Sequence, residues 1–162
     1  VIDITQPMVS QDLRIARLAW DTGNPVLLLL NKCDLVDPGG CVSRHWLRAI
    51  RCVLPDVVPL TISALDRTNL DRLDQRLRSL HAAWHKQIPA SELDRWCAQL
   101  SLARRVGIKH IHQTQACPPC LSLAGRVKIA DLRSSELRFL ARKFREDFKL
   151  SGIPVQIEGK IY

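Results

Sequence analysis

The stretch that decides the fold runs from Val26 to Asp34 and reads Val-Leu-Leu-Leu-Leu-Asn-Lys-Cys-Asp. Its first five residues are aliphatic and follow Pro25. A short continuous apolar run of this kind is typical of a strand that is buried on both faces of a parallel sheet. A second buried strand is predicted over residues 57–62, despite Pro59, which fits best near an edge or a bulge. Ser63 follows this strand directly. Small or polar residues therefore follow two predicted buried strands directly.

Helical periodicity separates these strands. Apolar residues recur every three or four positions between Ser10 and Gly23, from Trp46 to Val53, and from Asn69 to Trp84, which predicts three helices with one apolar face each. The chain also opens on a strand-like run that begins at Val1. Because helix and strand alternate, the first half is predicted to be an α/β domain.

A different pattern begins after Pro89, which predicts one domain over residues 1–88 and a second over residues 91–162. Ser91, with Asp94 three positions later, has the spacing of a capping box that opens a helix. The other predicted elements are strands over 106–115 and 121–129, a helix from Ser134 or Ser135 to about Lys149, and a strand over 153–158. The second half is therefore predicted to be a small α+β domain.

Charge is unevenly distributed along the 162 residues. The 24 basic and 16 acidic side chains give a net charge of +8, of which residues 1–88 supply +2 and residues 89–162 supply +6. A basic half indicates a polyanionic partner, most often a nucleic acid, although an ordinary solvated surface accounts for the same surplus. With 46% apolar residues and no long apolar run, the composition predicts a cytoplasmic globular protein without a membrane partner.

The loop residues after the two buried strands suit recognition of guanine. Asp34 offers two acceptor oxygens to the N1–H and exocyclic amine of this base, which adenine does not match. The methylene stem of Lys32 can lie along one face of the base, and Asn31 can hold the loop with its amide. The backbone N–H of Ala64 can point at the guanine oxygen. The predicted nucleotide-binding residues are Asn31, Lys32, Asp34, Ser63, Ala64 and Leu65.

These motifs resemble the guanine-recognition half of a P-loop GTPase, and other segments are similar to the Der (EngA) family. The run from Val1 to Ala16 resembles the strand and helix that precede Asn-Lys-x-Asp in the second GTPase domain of Der. Residues 113–119, the segment from Glu136 and the Gly152-Ile-Pro-Val stretch resemble the KH-like domain that closes Der proteins. The resemblance implies a factor that binds GTP or GDP, with Mg²⁺ at the phosphates, and that works in assembly of the large ribosomal subunit.

One motif of that family is missing. The sequence contains no G-x-x-x-x-G-K-[ST], which holds phosphates and Mg²⁺ in GTPases. The stretch Asp37-Pro-Gly-Gly40 has D-x-x-G spacing but follows Asn-Lys-x-Asp, so it is interpreted as a turn. Two charge-assisted hydrogen bonds give about 3–6 kcal/mol before association costs of at least about 4 kcal/mol. This chain alone is therefore expected to bind the base with millimolar affinity at best. It is expected to have no catalytic residue and not to hydrolyse GTP.

The KH-like half lacks the G-x-x-G loop with which KH domains clamp single strands. RNA contact is therefore predicted to be made with phosphates, guided by shape and dependent on salt, with ribosomal RNA or the large subunit as partner and not DNA. Some of these charges could instead serve an interface within the protein. The candidate residues are Arg126, Lys128, Arg138, Arg142, Lys143, Arg145 and Lys149.

Two other functions stay open. A stand-alone RNA-binding module could retain a GTPase remnant only as a scaffold. A zinc or redox protein could use the Cys117-Pro-Pro-Cys120 pair, with His110 and His112 on one strand face as further zinc ligands. The usual zinc spacing is absent, however, and a redox pair should open a helix. No metal site is therefore predicted.

Overall fold

The computed structural model describes residues 1–7, 10–36, 44–54, 56–126, 131–157 and 160–162. Two sheets with helices packed around them organise this part of the chain. The helices and strands, in chain order, are β1 (Ile2–Asp3), α1 (Ser10–Asp21), β2 (Leu29–Asn31), α2 (Arg44–Val53), β3 (Leu60–Thr61), α3 (Leu70–Trp84), α4 (Ala90–Gln99), α5 (Ser101–Val106), β4 (Ile108–Gln115), β5 (Cys120–Gly125), α6 (Ser134–Phe148), β6 (Gln156–Ile157) and β7 (Lys160–Ile161).

The first sheet is parallel, with strand order β1-β2-β3. Residue Leu30 in β2 pairs with Ile2 on one side and with Thr61 on the other. Both β2 and β3 are shorter than the predicted strands over 26–30 and 57–62. Part of the reason is that the N–H of Val26 donates to the carbonyl of Gly152, 2.8 Å away in the second half of the chain. Val26, the first residue of the apolar run, is therefore bonded to the second half of the chain and does not lengthen β2.

The core of the first half lies between this sheet and the helices α1 and α2. Leu30, Ile50 and Leu54 are fully buried, and Trp20 packs into the same cluster. Parallel pairing of the three strands confirms the predicted α/β arrangement. The predicted burial of the 26–30 run on both faces is not fully met, because Val26, Leu28 and Leu30 are buried whereas Leu27 and Leu29 are only partly buried.

The second sheet has the order β4-β5-β6-β7. Strands β4 and β5 form an antiparallel pair, β5 pairs in parallel with β6, and β6 is antiparallel to β7. Helix α6 buries Phe144 and Phe148, whose rings contact Trp96 of α4 at centroid distances of 5.5 Å. The predicted α+β class is therefore confirmed.

Two expected features of this half differ in the structure. Helix α4 begins at Ala90, and no side chain caps its N-terminus, so the predicted capping box of Ser91 and Asp94 is wrong. Asp94 instead contacts the ring of His110, with 3.0 Å between Oδ1 and Nδ1. The strand predicted over 121–129 ends at Gly125, and Arg126 lies in a bend. Residues 127–130 lie outside the described ranges.

A buried ion pair joins the two halves. The guanidinium of Arg145 in α6 donates to the carboxylate of Asp56, with 2.5 Å between Nε and Oδ2, and to the carbonyl of Tyr162 at 2.7 Å. The exposed fractions of the two side chains are 5% for Arg145 and 15% for Asp56. Burial lowers the pKa of Arg145, and Asp56 opposes that shift. An arginine this buried is tolerated because a carboxylate and a carbonyl satisfy its donors.

Further contacts surround this pair. The guanidinium carbon of Arg145 lies 5.3 Å from the ring centroid of Trp20, and the Ser151 hydroxyl donates to the carbonyl of Asp56 at 2.8 Å. The end of α3 also reaches the second half, because Leu80 and Trp84 pack against its core. The boundary between residues 1–88 and 91–162 stays a prediction, and packing crosses it.

We predict that Asp56→Ala lowers the free energy of unfolding by about 3–5 kcal/mol, since it leaves a buried guanidinium without its carboxylate. The matched control is Asp74→Ala, which removes an exposed i,i+4 pair with Arg78 and should change stability by no more than about 0.5 kcal/mol. Urea denaturation of both variants measures the difference. Equal losses in the two variants would contradict the structural role of the buried pair.

Gly152 provides a second test of the contact between the halves. Its φ is +80°, and a Cβ at this position would lie 2.7 Å from the carbonyl oxygen of Val26. Gly107 has a similar φ of +82°, but a Cβ there would meet only ordinary van der Waals contact, at 3.5 Å. Both alanine variants carry the left-handed strain of about 1–2 kcal/mol, so Gly152→Ala should be clearly the more destabilising in thermal melts. A larger loss for Gly107→Ala would argue against the close approach at Val26.

Candidate functional site

The predicted guanine loops lie at the carboxyl edge of the first sheet. Because β2 and β3 are parallel neighbours, their following loops leave the sheet on the same side. The N–H of Cys33 donates to the carbonyl of Ile62, 3.2 Å away. The N–H of Ala64 donates to the side-chain oxygen of Asn31 at 3.0 Å. Two hydrogen bonds therefore hold the loops together, at the position where α/β sheets bind ligands.

The Asn31 bond corrects one expected detail. The N–H of Ala64 was expected to be available to the guanine oxygen, but in the structure it is already used by Asn31. Asn31 does hold the loop with its amide, as predicted. A guanine oxygen could accept from the Ala64 N–H only by sharing this donor with Asn31 or by displacing the Asn31 oxygen.

Lys32 is anchored to the edge strand of the sheet. Its backbone adopts a left-handed conformation, with φ of +69°, and its ammonium lies 2.6 Å from Oδ2 of Asp3 in β1. The side chain is half exposed. The ion pair ties the end of the Lys32 side chain to β1. The contact between its stem and the face of a base stays a prediction.

Hydrogen bonds determine the ionisation of Asp3. The bond from Lys32, together with bonds from the hydroxyl and the backbone of Thr5, lowers the pKa of Asp3 to about 2. The same carboxylate raises the pKa of Lys32. Both groups are therefore charged at neutral pH.

Asp34 lies in a short 3-10 turn over Cys33–Leu35. Its Oδ1 atom is buried and accepts no hydrogen bond within the described part of the chain. A buried carboxylate oxygen without a donor is costly. Because this oxygen is enclosed by the protein, a ligand with N–H groups would supply the missing bond only after the loop moves. Asp34 is thus the residue at this edge with unused hydrogen-bonding capacity.

The second loop is shaped by Ser63. This residue is fully buried, its hydroxyl accepts from the N–H of Asp66 at 3.0 Å, and its own N–H donates to Thr68. Leu65, by contrast, is 83% exposed. Ser63 therefore orders the loop, while Ala64 and Leu65 form its accessible part. The assignment of these residues to nucleotide contact stays a prediction.

Sequence reasoning missed Asn69. Its side-chain amide donates to the carbonyl of Thr61 at 2.9 Å, and its backbone is left-handed with φ of +61°. The bond fastens the start of α3 to the end of β3. An asparagine directly before a helical pattern could have indicated this position in the sequence, because asparagine tolerates the left-handed conformation better than most residues.

The candidate RNA residues do not form one surface. Arg138 and Arg142 are exposed one turn apart on α6, whereas Lys143 forms an ion pair with Asp147 at 2.8 Å. Arg126 and Lys149 are exposed elsewhere, and Lys128 lies outside the described residues.

One of these candidates requires correction. Arg145 does not lie on an exposed face of α6, because it is buried in the ion pair with Asp56. The helical stripe carries Arg145 inward, toward the first half of the chain. This arginine therefore serves the internal interface that the sequence left open as an alternative.

Cys117 of the cysteine pair lies against the end of α3. The Cys117 thiol lies 3.3 Å from the carbonyl of Trp84, and both Cys117 and Cys120 are free and partly buried. The rings of His110 and His112 stack at 6.1 Å on β4, as their shared strand face predicts. Within the described ranges, no three His, Cys, Asp or Glu residues are placed to hold a metal ion.

No helix in the described ranges is both long and apolar enough to cross a bilayer.

Comparison with known proteins agrees with the predicted resemblance. Residues 87–160 match the family described as KH-domain-like of EngA bacterial GTPase enzymes, C-terminal. The chain is 34% identical over 171 residues to GTPase Der of Azorhizobium caulinodans, and 30% identical over 168 residues to GTPase Der of Parvibaculum lavamentivorans. Each alignment covers 97% of this chain but only 36% and 35% of the relative.

A structural comparison gives a weaker likeness. A crystal structure of Aquifex aeolicus Era bound to GDP.AlF4- matches 98% of this chain and 62% of its own, with a TM-score of 0.41 and 20% identity.

The sequence matches define the class of the protein: it carries a KH-like region of the kind that ends bacterial GTPases. The chain is a relative of the Der (EngA) GTPases. It spans about a third of the length of the Der relatives that it matches.

We predict that Lys32→Gln raises the pKa of Asp3 from about 2 toward its ordinary 3.8. Because the folded-state pKa is the lower one, the ionised carboxylate stabilises the fold above pH 4, and this contribution is lost as the pH falls toward 2. Carbon-13 NMR titration of the Asp3 carboxyl measures the change.

Lys109→Gln, at an exposed lysine of β4, is the control and should leave the pKa of Asp3 unchanged. An unaltered Asp3 pKa in Lys32→Gln would show that the ion pair is absent in solution.

Proposed function

We propose that this chain is the guanine-recognition and KH-like part of a Der-type GTP-binding protein that acts in the cytoplasm in assembly of the large ribosomal subunit. One observation carries the proposal. The Asn31–Asp34 and Ser63–Leu65 loops meet at one sheet edge, where a buried oxygen of Asp34 has no donor among the described residues. The sequence relationship to the Der GTPases supports the same reading.

The proposed ligand is a guanine nucleotide, GTP or GDP. The two oxygens of Asp34 would accept the N1–H and the amine of the base, and the anchored stem of Lys32 would cover one face. Holding the phosphates and Mg²⁺ requires a P-loop, and the sequence contains none. This polypeptide by itself is therefore proposed to recognise the base weakly and not to hydrolyse GTP.

The proposed macromolecular partner is ribosomal RNA. The second half has a net charge of +6, and Arg138 and Arg142 are exposed on one face of α6. Contacts of these side chains with phosphates would bind RNA in a salt-dependent manner.

We predict that guanosine at millimolar concentration shifts the amide signals of Ala64 and Asn31 in nitrogen-15 NMR spectra, whereas adenosine does not. Asp34→Asn should lose the response to guanosine and gain one to xanthosine, because its amide can donate to the additional carbonyl of that base. Asp66→Asn, at an exposed carboxylate of the neighbouring loop, is the matched control and should keep the guanosine response. Equal shifts with adenosine, or an unchanged guanosine response in Asp34→Asn, would remove Asp34 from the base site.

A further inference from the structure

A cleft of about 600 Å³ lies between α1 and α6. Four arginines line it, namely Arg17 of α1 with Arg138, Arg142 and Arg145 of α6, while Asp56 is the one carboxylate among its lining residues. The cleft is therefore built from both halves of the chain. Its volume falls in the range of about 300–1,000 Å³ that is usual for ligand sites.

Three of the arginines are accessible to an anion, although Arg17 also donates to the carbonyl of Val53 at 3.2 Å. Arg145 is committed to Asp56. Arg17 and Arg142 form i,i+4 pairs with Asp21 at 2.8 Å and Glu146 at 3.7 Å, and all four of these side chains are about half exposed. Exposed pairs of this kind contribute little stability, so a phosphate that accepts bidentate hydrogen bonds can draw either arginine toward it. Arg138 also lines the cleft and is exposed.

An aromatic ring lies beside these charges. The Phe139 side chain lines the cleft and is 37% exposed, which makes it one of the larger apolar groups that the fold leaves accessible. The Arg142 guanidinium carbon is 5.7 Å from its ring centroid. An exposed aromatic ring next to arginines is the combination that stacks a base and neutralises the adjoining phosphates in proteins that bind single strands.

We propose that this cleft binds single-stranded RNA, with Arg17, Arg138 and Arg142 on successive phosphates and Phe139 against one base. The inference rests on the proposed RNA partner and specifies where that partner binds. It adds Arg17, which belongs to the GTPase-like half, and it assigns Arg145 to holding the two walls together. Binding therefore requires both halves of the chain.

The test measures fluorescence anisotropy of a labelled twelve-nucleotide uridine RNA with the full chain at several salt concentrations. Arg17→Gln and Arg138→Ala are each expected to weaken binding at least about fivefold and to reduce the salt slope by about 0.7. Phe139→Ala should weaken binding at least about fivefold with an unchanged salt slope.

Arg72→Ala, at an exposed arginine of α3 that does not line the cleft, is the matched control and should stay within about twofold of wild type. Because Arg17 also donates to the carbonyl of Val53, thermal melts must show that its variant is folded, and Arg138→Ala carries the test if it is not.

The outcomes separate the two proposals. If the wild-type chain binds RNA and the cleft variants bind as Arg72→Ala does, the cleft assignment is overturned while the RNA partner stands. If the wild-type chain does not bind RNA, both are overturned. Binding of a glutamate-rich peptide through Arg138 without binding of RNA would likewise overturn the assignment, in favour of an acidic protein partner.

Discussion

Parallel pairing of β2 with β3 is the constraint on which the candidate site depends. The register that places Leu30 opposite Thr61 also brings the residues after both strands to one edge. Asn31 then accepts from Ala64, and Cys33 donates to Ile62. A shift of one residue would turn the alternate side chains to the opposite faces and separate these partners. The short parallel strands therefore fix the loop geometry on which the proposed contact between Asp34 and a base depends.

The second constraint is the buried pair of Arg145 and Asp56. It makes α6 part of both halves, because the helix packs on the second sheet while its arginine lies against Trp20 of α1. A buried ion pair need not add stability relative to apolar packing, but removal of one partner is costly. The pair accordingly joins α6 to the first half at a defined point. The arginine-lined cleft between α1 and α6 is formed where the two halves meet in this way.

Sequence periodicity was sufficient for the fold class and for most helices, because buried stripes and continuous apolar runs follow from burial alone. The strand ends could not be predicted: Val26 looks like part of a strand but pairs with Gly152, more than a hundred residues away along the chain. Two other features could not be predicted for the same reason. These are the inward position of Arg145 and the hydrogen bond from the Ala64 N–H to Asn31. Each depends on a partner distant in sequence, which local patterns do not identify.

The joined loops are tested most directly by amide hydrogen exchange, followed residue by residue by NMR. The Ala64 amide should be protected in the wild-type chain and should lose this protection in Asn31→Ala, while the Cys33 amide, which donates to Ile62, stays protected in both. Protection of Ala64 that does not depend on Asn31, or an Ala64 amide that exchanges freely in the wild-type chain, would contradict the contact between the two loops on which the proposed guanine site depends.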